Sequence, residues 1–136
     1  MKIQPTLLIL FTLLISCAQP RKMTVSDTGE SMRFGRTGGF TNIPMEYALQ
    51  KNRRVYEIAA DTANPVNRIS RKEMKEIMAA FDSLDFKSLK LNEPGNMTYF
   101  VFVRNETWEN RIQWSDNTNN EQVRNLYKLL LKTTNK

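Results

Sequence analysis

The chain of 136 residues contains no histidine. That absence removes every histidine-based catalytic triad, histidine general base and histidine metal site. It contains a single cysteine, Cys17, so no intrachain disulfide can form. Nowhere does it carry the ~20 consecutive apolar residues that a membrane-spanning helix requires. The longest apolar run, Leu7 to Ile15, is interrupted by Thr12 and is about half that length. No GK[ST] ending follows any glycine cluster, which excludes a nucleotide-binding P-loop. The two halves resemble each other in layout but share no residue-level repeat.

What is present at the start has the layout of an export signal: a positive Lys2, the apolar run, the small Ser16, then Cys17. Leu14-Ile15-Ser16-Cys17 resembles the lipobox of bacterial lipoproteins. The resemblance covers the first 17 residues and implies that the Cys17 thiol receives a diacylglyceryl group. It further implies that the chain is cut before Cys17 and that the freed amine is acylated, with palmitate as the kind of chain attached. Each buried methylene contributes about 0.8 kcal/mol, and two or three chains hold firmly where one holds only marginally. The other reading is an ordinary signal peptide with a cysteine there by chance. The expected organisation is a removed signal over 1–16, a lipidated cysteine and flexible tether over 17–31, and one domain over 32–136. The tether, AQPRKMTVSDTGES from Ala18 onward, is polar and lacks an apolar period.

Twenty basic against fourteen acidic residues give a formal charge of +6. For an exported chain the counter-charges are anionic envelope polymers or lipid headgroups, not nucleic acid. The plainer reading is that the scattered charges only keep the fold soluble. Ala18 stands where an aspartate would resemble an inner-membrane retention signal, and residues 18–23 lack the acidic cluster that resembles a surface-export signal. The expected location is therefore the outer membrane, facing the periplasm.

Two helices are legible. Ser70 with Glu73 makes a capping box, and Met74, Ile77, Met78, Phe81 and Leu84 recur at three- and four-residue steps. Thr118 with Glu121 repeats the spacing before the stripe Val123, Leu126, Tyr127, Leu130 and Leu131. Strand-like runs lie at Met32 to Thr41, broken or bulged at Gly38-Gly39, at Met45 to Gln50, at Val55 to Ala60, at Thr98 to Val103 and at Arg111 to Ser115. This order predicts one small α+β domain: an antiparallel sheet of four to five strands, arranged hairpin, helix, hairpin, helix, with both helices on one face.

Chemistry must then come from carboxylates, lysines and hydroxyls, because lipidation also removes the thiol. The acid pairs Asp82/Asp85 and Glu106/Glu109 read as solvated surface. The stretch Asp116 to Glu121 lacks the glycine and terminal glutamate of a calcium loop and reads as the start of a helix. Asp61-Thr62-Ala63 and Asp82-Ser83-Leu84 resemble the short O-glycosylation motif of Bacteroidota. No metal site and no cofactor are expected.

Phe34-Gly35-Arg36-Thr37-Gly38-Gly39-Phe40-Thr41 resembles an FGxxGGFTG-type segment of small Bacteroidota lipoproteins, with Asn42 in place of the last glycine. Physically it reads either as a tight turn packed by two phenylalanines or as a nest of amides beside Arg33 and Arg36 that holds an anion or a partner peptide. Trp108, inside the polar turn 105–110, either stacks on a partner or folds back onto the sheet. The candidate binding residues are thus Arg33, Phe34, Arg36, Gly38, Gly39, Phe40 and Trp108, with Cys17 as the anchor. The functional expectation is a non-enzymatic accessory or binding module of the cell envelope, held in the bilayer through Cys17 and meeting an envelope protein. The alternative is a protein inhibitor of an envelope enzyme.

Overall fold

The computed structural model describes residues 23–24 and 29–135. Alternation of apolar and polar residues sets the strands. In β2 (Ser31–Gly38), Met32 and Phe34 point to one side and Arg33 and Gly35 to the other. The same side is continued by Leu49 of β3 (Met45–Gln50), by Val55 of β4 (Arg54–Ala59), and by Val101 and Val103 of β6 (Met97–Arg104). Ile112 and Trp114 of β7 (Glu109–Ser115) complete it. Both helices, α1 (Arg71–Asp82) and α2 (Glu121–Lys132), lay their apolar stripes on this side. Ile77 joins Val123, Leu126, Tyr127 and Leu130 in one buried cluster with those strand residues.

With β1 (Met23–Thr24) and β5 (Thr62–Arg68), the strands form one antiparallel sheet in the order β1-β5-β4-β3-β2-β6-β7. The α+β class and the two helices on one face stand; the strand number is higher than four to five. A four-strand meander precedes α1, and the hairpin of β6 and β7 separates α1 from α2. The missed strand, β5, carries Pro65, which cannot donate to a ladder and demotes a run read from sequence alone. Here Pro65 sits opposite Tyr56 beside a register shift that skips Val66 of β5, where a missing N–H is tolerated. The two-residue β1 pairs with β5 inside the stretch expected to be tether.

The α1 capping box forms as expected. The Glu73 amide donates to Ser70 Oγ at 3.1 Å, and the Ser70 amide donates to the Glu73 carboxylate at 2.7 Å. For α2 the cap differs. Asn120 Oδ1 accepts from the Val123 amide at 3.0 Å, while buried Thr118 accepts the Ser115 amide in the preceding turn. Asparagine two positions further on offers the same short acceptor, so the start of the helix had two possible frames. The outer edge of β7 is partly covered, since Gln113 exchanges backbone bonds with Leu91 and Glu93 of the α1–β6 connection.

Candidate functional site

The segment Phe34 to Asn42 runs from the middle of β2 into the β2–β3 loop. Gly35 is a close-approach position: a Cβ there would lie 1.9 Å from the Met45 carbonyl oxygen on β3. Its own carbonyl accepts the Tyr127 hydroxyl at 3.1 Å, which ties α2 to the strand. That hydroxyl is buried, and desolvation raises its pKa well above the usual tyrosine range. Gly38 and Gly39 take φ of +88° and +77°, the left-handed region where glycine is free of Cβ strain. Asn42, at φ +47°, continues the reversal and donates its amide to the Gly39 carbonyl at 3.2 Å. The Gly39 amide is held by the Asn96 carbonyl at 2.9 Å.

The loop so formed pushes Phe40 fully into solvent and leaves Ile43 70% exposed. These two are the exposed large apolar side chains among the described residues. Leaving a phenylalanine in water forgoes about 2 kcal/mol of burial. Isolated exposed apolar residues are ordinary, but here two occur within four residues on one loop.

The other candidates separate. Phe34 is 0% exposed and stacks on Tyr47 at 5.8 Å between ring centres, so it is core and contacts no ligand. Arg33 lies on the helix-free face, where its guanidinium pairs with Glu46. Arg36 is exposed on the opposite face, near Tyr99 and Tyr127. An odd-even offset along a strand sends two side chains to opposite faces, so these arginines do not converge on one anion. The Gly39 amide is already spent on Asn96, which removes a donor from the proposed nest. Trp108 folds back: it is half-buried, with its ring 6.5 Å from that of Phe86. Cys17 lies outside the described residues.

No three Cys, Asp or Glu residues among those described are grouped to hold a metal ion. Asp82 and Asp85 are exposed, and Glu109 is engaged by Arg104 at 3.0 Å. In the stretch that superficially resembles a calcium loop, the carbonyls of Asp116 and Thr118 both accept from the Arg124 guanidinium at 2.6 Å. The Asp116 carboxylate accepts the Tyr99 hydroxyl at 2.8 Å, and Tyr99 has its pKa raised by desolvation and by that carboxylate. A cationic side chain already fills the place where a cation would need oxygen ligands. Thr62 and Ser83, the hydroxyls of the two glycosylation-like triplets, donate to the carbonyls of Ala59 and Ala80. No protein-family model and no curated protein sequence matches the chain. What remains is an arrangement suited to contact: a loop held by two backbone hydrogen bonds, with exposed Phe40 and Ile43 on it and Arg36 on the strand leading into it.

Sequence reasoning singled out Phe40 but missed Ile43. The signal was present in Asn42-Ile43-Pro44, a left-handed residue, an aliphatic one and a proline that commits the chain to the next strand. Among the described residues, no helix is long and apolar enough to cross a membrane.

Proposed function

We propose that the protein is a non-enzymatic lipoprotein of the bacterial cell envelope, tethered through Cys17, whose β2–β3 loop docks on an envelope protein. The observation that carries this reading is the presentation of Phe40 and Ile43 on a turn held by Gly38, Gly39 and Asn42. A loop whose shape is set by its backbone loses little conformational freedom on binding, and its tip adds buried apolar area at once. Tyrosine, tryptophan and other aromatic side chains are the usual anchors of such contacts. The lipobox resemblance supports an anchored chain, and Ala18 supports the outer membrane with the domain facing the periplasm.

The test has two arms. A photo-crosslinking residue at position 40 should capture one predominant envelope protein, whereas the same residue at position 72, on the exposed side of α1, should not. Metabolic labelling with palmitate should mark the wild type and not Cys17→Ser. Equal labelling of both would end the lipoprotein part, and equal capture from both positions would end the docking part.

One feature favours a second reading, inhibition of an envelope enzyme: the apolar tip projects as a loop instead of lying in a flat patch. Under that reading the captured partner is an enzyme, and its activity falls in a saturable way with added wild type but not with Phe40→Asp.

A further inference from the structure

At the end of the sheet away from the Phe40 loop, one helix has an apolar stripe wider than the sheet beneath it can cover. Ile77 of α1 is buried, but Met74, Met78 and Phe81 are only partly buried. Together with Met32, Val103 and Trp108 they line a cleft of about 140 Å³, open on one side. Methionine side chains are unbranched and polarisable and adapt to the shape of what they touch.

The rim of the cleft carries Glu30, Lys51 and Arg104, and the surface adjoining it along α1 is cationic. A shallow shelf that shares Met74 and Met78 with it is lined by Lys51, Arg53, Arg71 and Lys75, and by no carboxylate. Lys51 is paired with Glu30, which raises the pKa of the lysine and lowers that of the glutamate. One Arg53 nitrogen donates to the Ile69 carbonyl at 3.2 Å. Arg71 and Lys75, one helical turn apart, have no ion-pair partner among the described residues. The strands bordering the cleft are β2, β3 and β6, each hydrogen-bonded on both sides. An extended peptide would therefore find no free sheet edge to add to.

We propose that this cleft binds a monomeric single-chain anionic amphiphile, with its acyl chain along Met74, Met78, Phe81 and Trp108 and its carboxylate or phosphate on Arg71 and Lys75. The apolar floor selects methylenes, and the cationic shelf selects the head group. This site lies about one β2 length, roughly 23 Å, from Phe40 and stands independently of the docking role proposed for that loop.

The full chain carrying Cys17→Ser, free of any attached acyl chain, is titrated with dodecyl phosphate below its micellar concentration. Trp108 emission and calorimetry report binding, while buried Trp114 gives a constant background. The expected result is saturable 1:1 binding with a blue shift, at least ~10-fold tighter than for dodecyl maltoside, since only the phosphate meets the shelf. Shortening the chain by one methylene should weaken binding about fourfold. Met78→Glu should weaken it by ~10-fold or more, with Met74→Gln as the milder variant if the former perturbs circular dichroism. Arg71→Glu with Lys75→Glu should abolish the preference for phosphate over maltoside and leave the unfolding midpoint within error. Equal affinity for anionic, neutral and cationic head groups would overturn the proposal. So would a response to phosphatidylglycerol vesicles with none to the monomer, which would make the surface a membrane-docking face.

Discussion

The two ends of β2 solve opposite problems with the same strand. At the Gly38 end, backbone geometry projects two apolar side chains into water, and neither contributes packing to the fold. At the Ser31 end, side chains from α1, β2, β3, β6 and the β6–β7 turn close around a concavity, and Met32, Leu49, Met74, Phe81, Val103 and Trp108 among them also pack in or against the core. Presentation and concavity fail differently when mutated. In the loop, the glycines should matter to folding and the tip should not. Around the cleft, the same residue touches both stability and binding.

The largest effect should come from Gly38→Val. A valine at φ +88° is strained, and its Cβ would stand 2.2 Å from the Asn96 carbonyl oxygen, a backbone atom with no freedom to move aside. A loss of about 3 kcal/mol is expected in urea unfolding. A loss below about 1 kcal/mol would mean that the loop relaxes freely, and the idea of a backbone-fixed tip would go with it. At the other end, Trp108→Ala removes a half-buried indole that packs on Phe86. The expected loss is about 2 kcal/mol, below the 3–5 kcal/mol of a fully buried aromatic. If Trp108→Ala were as costly as a core truncation, the cleft would be a flaw in packing and not a surface kept open.

How far the sequence speaks differs between these ends. The helices were legible because their stripes run over twelve residues each and because Ser70 and Glu73 form a signal with one mechanical meaning. Phe40 was legible because three glycines beside a phenylalanine demand a turn. The cleft was not, since Met74, Met78 and Phe81 read identically whether their stripe is fully covered or overhangs its partner. Which of them stays only partly buried depends on where β2, β3 and β6 end, and that is a tertiary fact. The divergence of Arg33 and Arg36 needed only strand parity. The strand runs in regular register through both arginines to Gly38.

A smaller effect isolates the helix that carries the cleft. The Glu73 carboxyl lies below its ordinary pKa of 4.5, first because it accepts the Ser70 amide and then because of the Ser70 hydroxyl. A depressed carboxylate stabilises the fold above its unfolded pKa, and that contribution is lost as pH falls through the folded value. Glu73→Ala should therefore lower the unfolding midpoint at pH 7, with the gap from wild type closing below about pH 4.5. Ser70→Ala should cost about 1 kcal/mol through the lost cap. A Glu73→Ala gap that does not change with pH would assign the effect to helix propensity instead of the cap.

The smallest effect on stability is the most telling for function. Phe40→Asp and Ile43→Asp change side chains that contact water, so unfolding should shift by no more than about 0.5 kcal/mol in either direction. Capture of the envelope partner should fall sharply in each, because burial of either side chain contributes about 2 kcal/mol, a factor near thirty in affinity. The pairing of an unchanged fold with a lost contact separates a presented tip from a packed one, and Gly38→Val cannot do so because it alters both. Were Phe40→Asp to destabilise the domain by more than about 1 kcal/mol, the tip would have an intramolecular seat, and the contrast between the two ends of β2 would no longer hold.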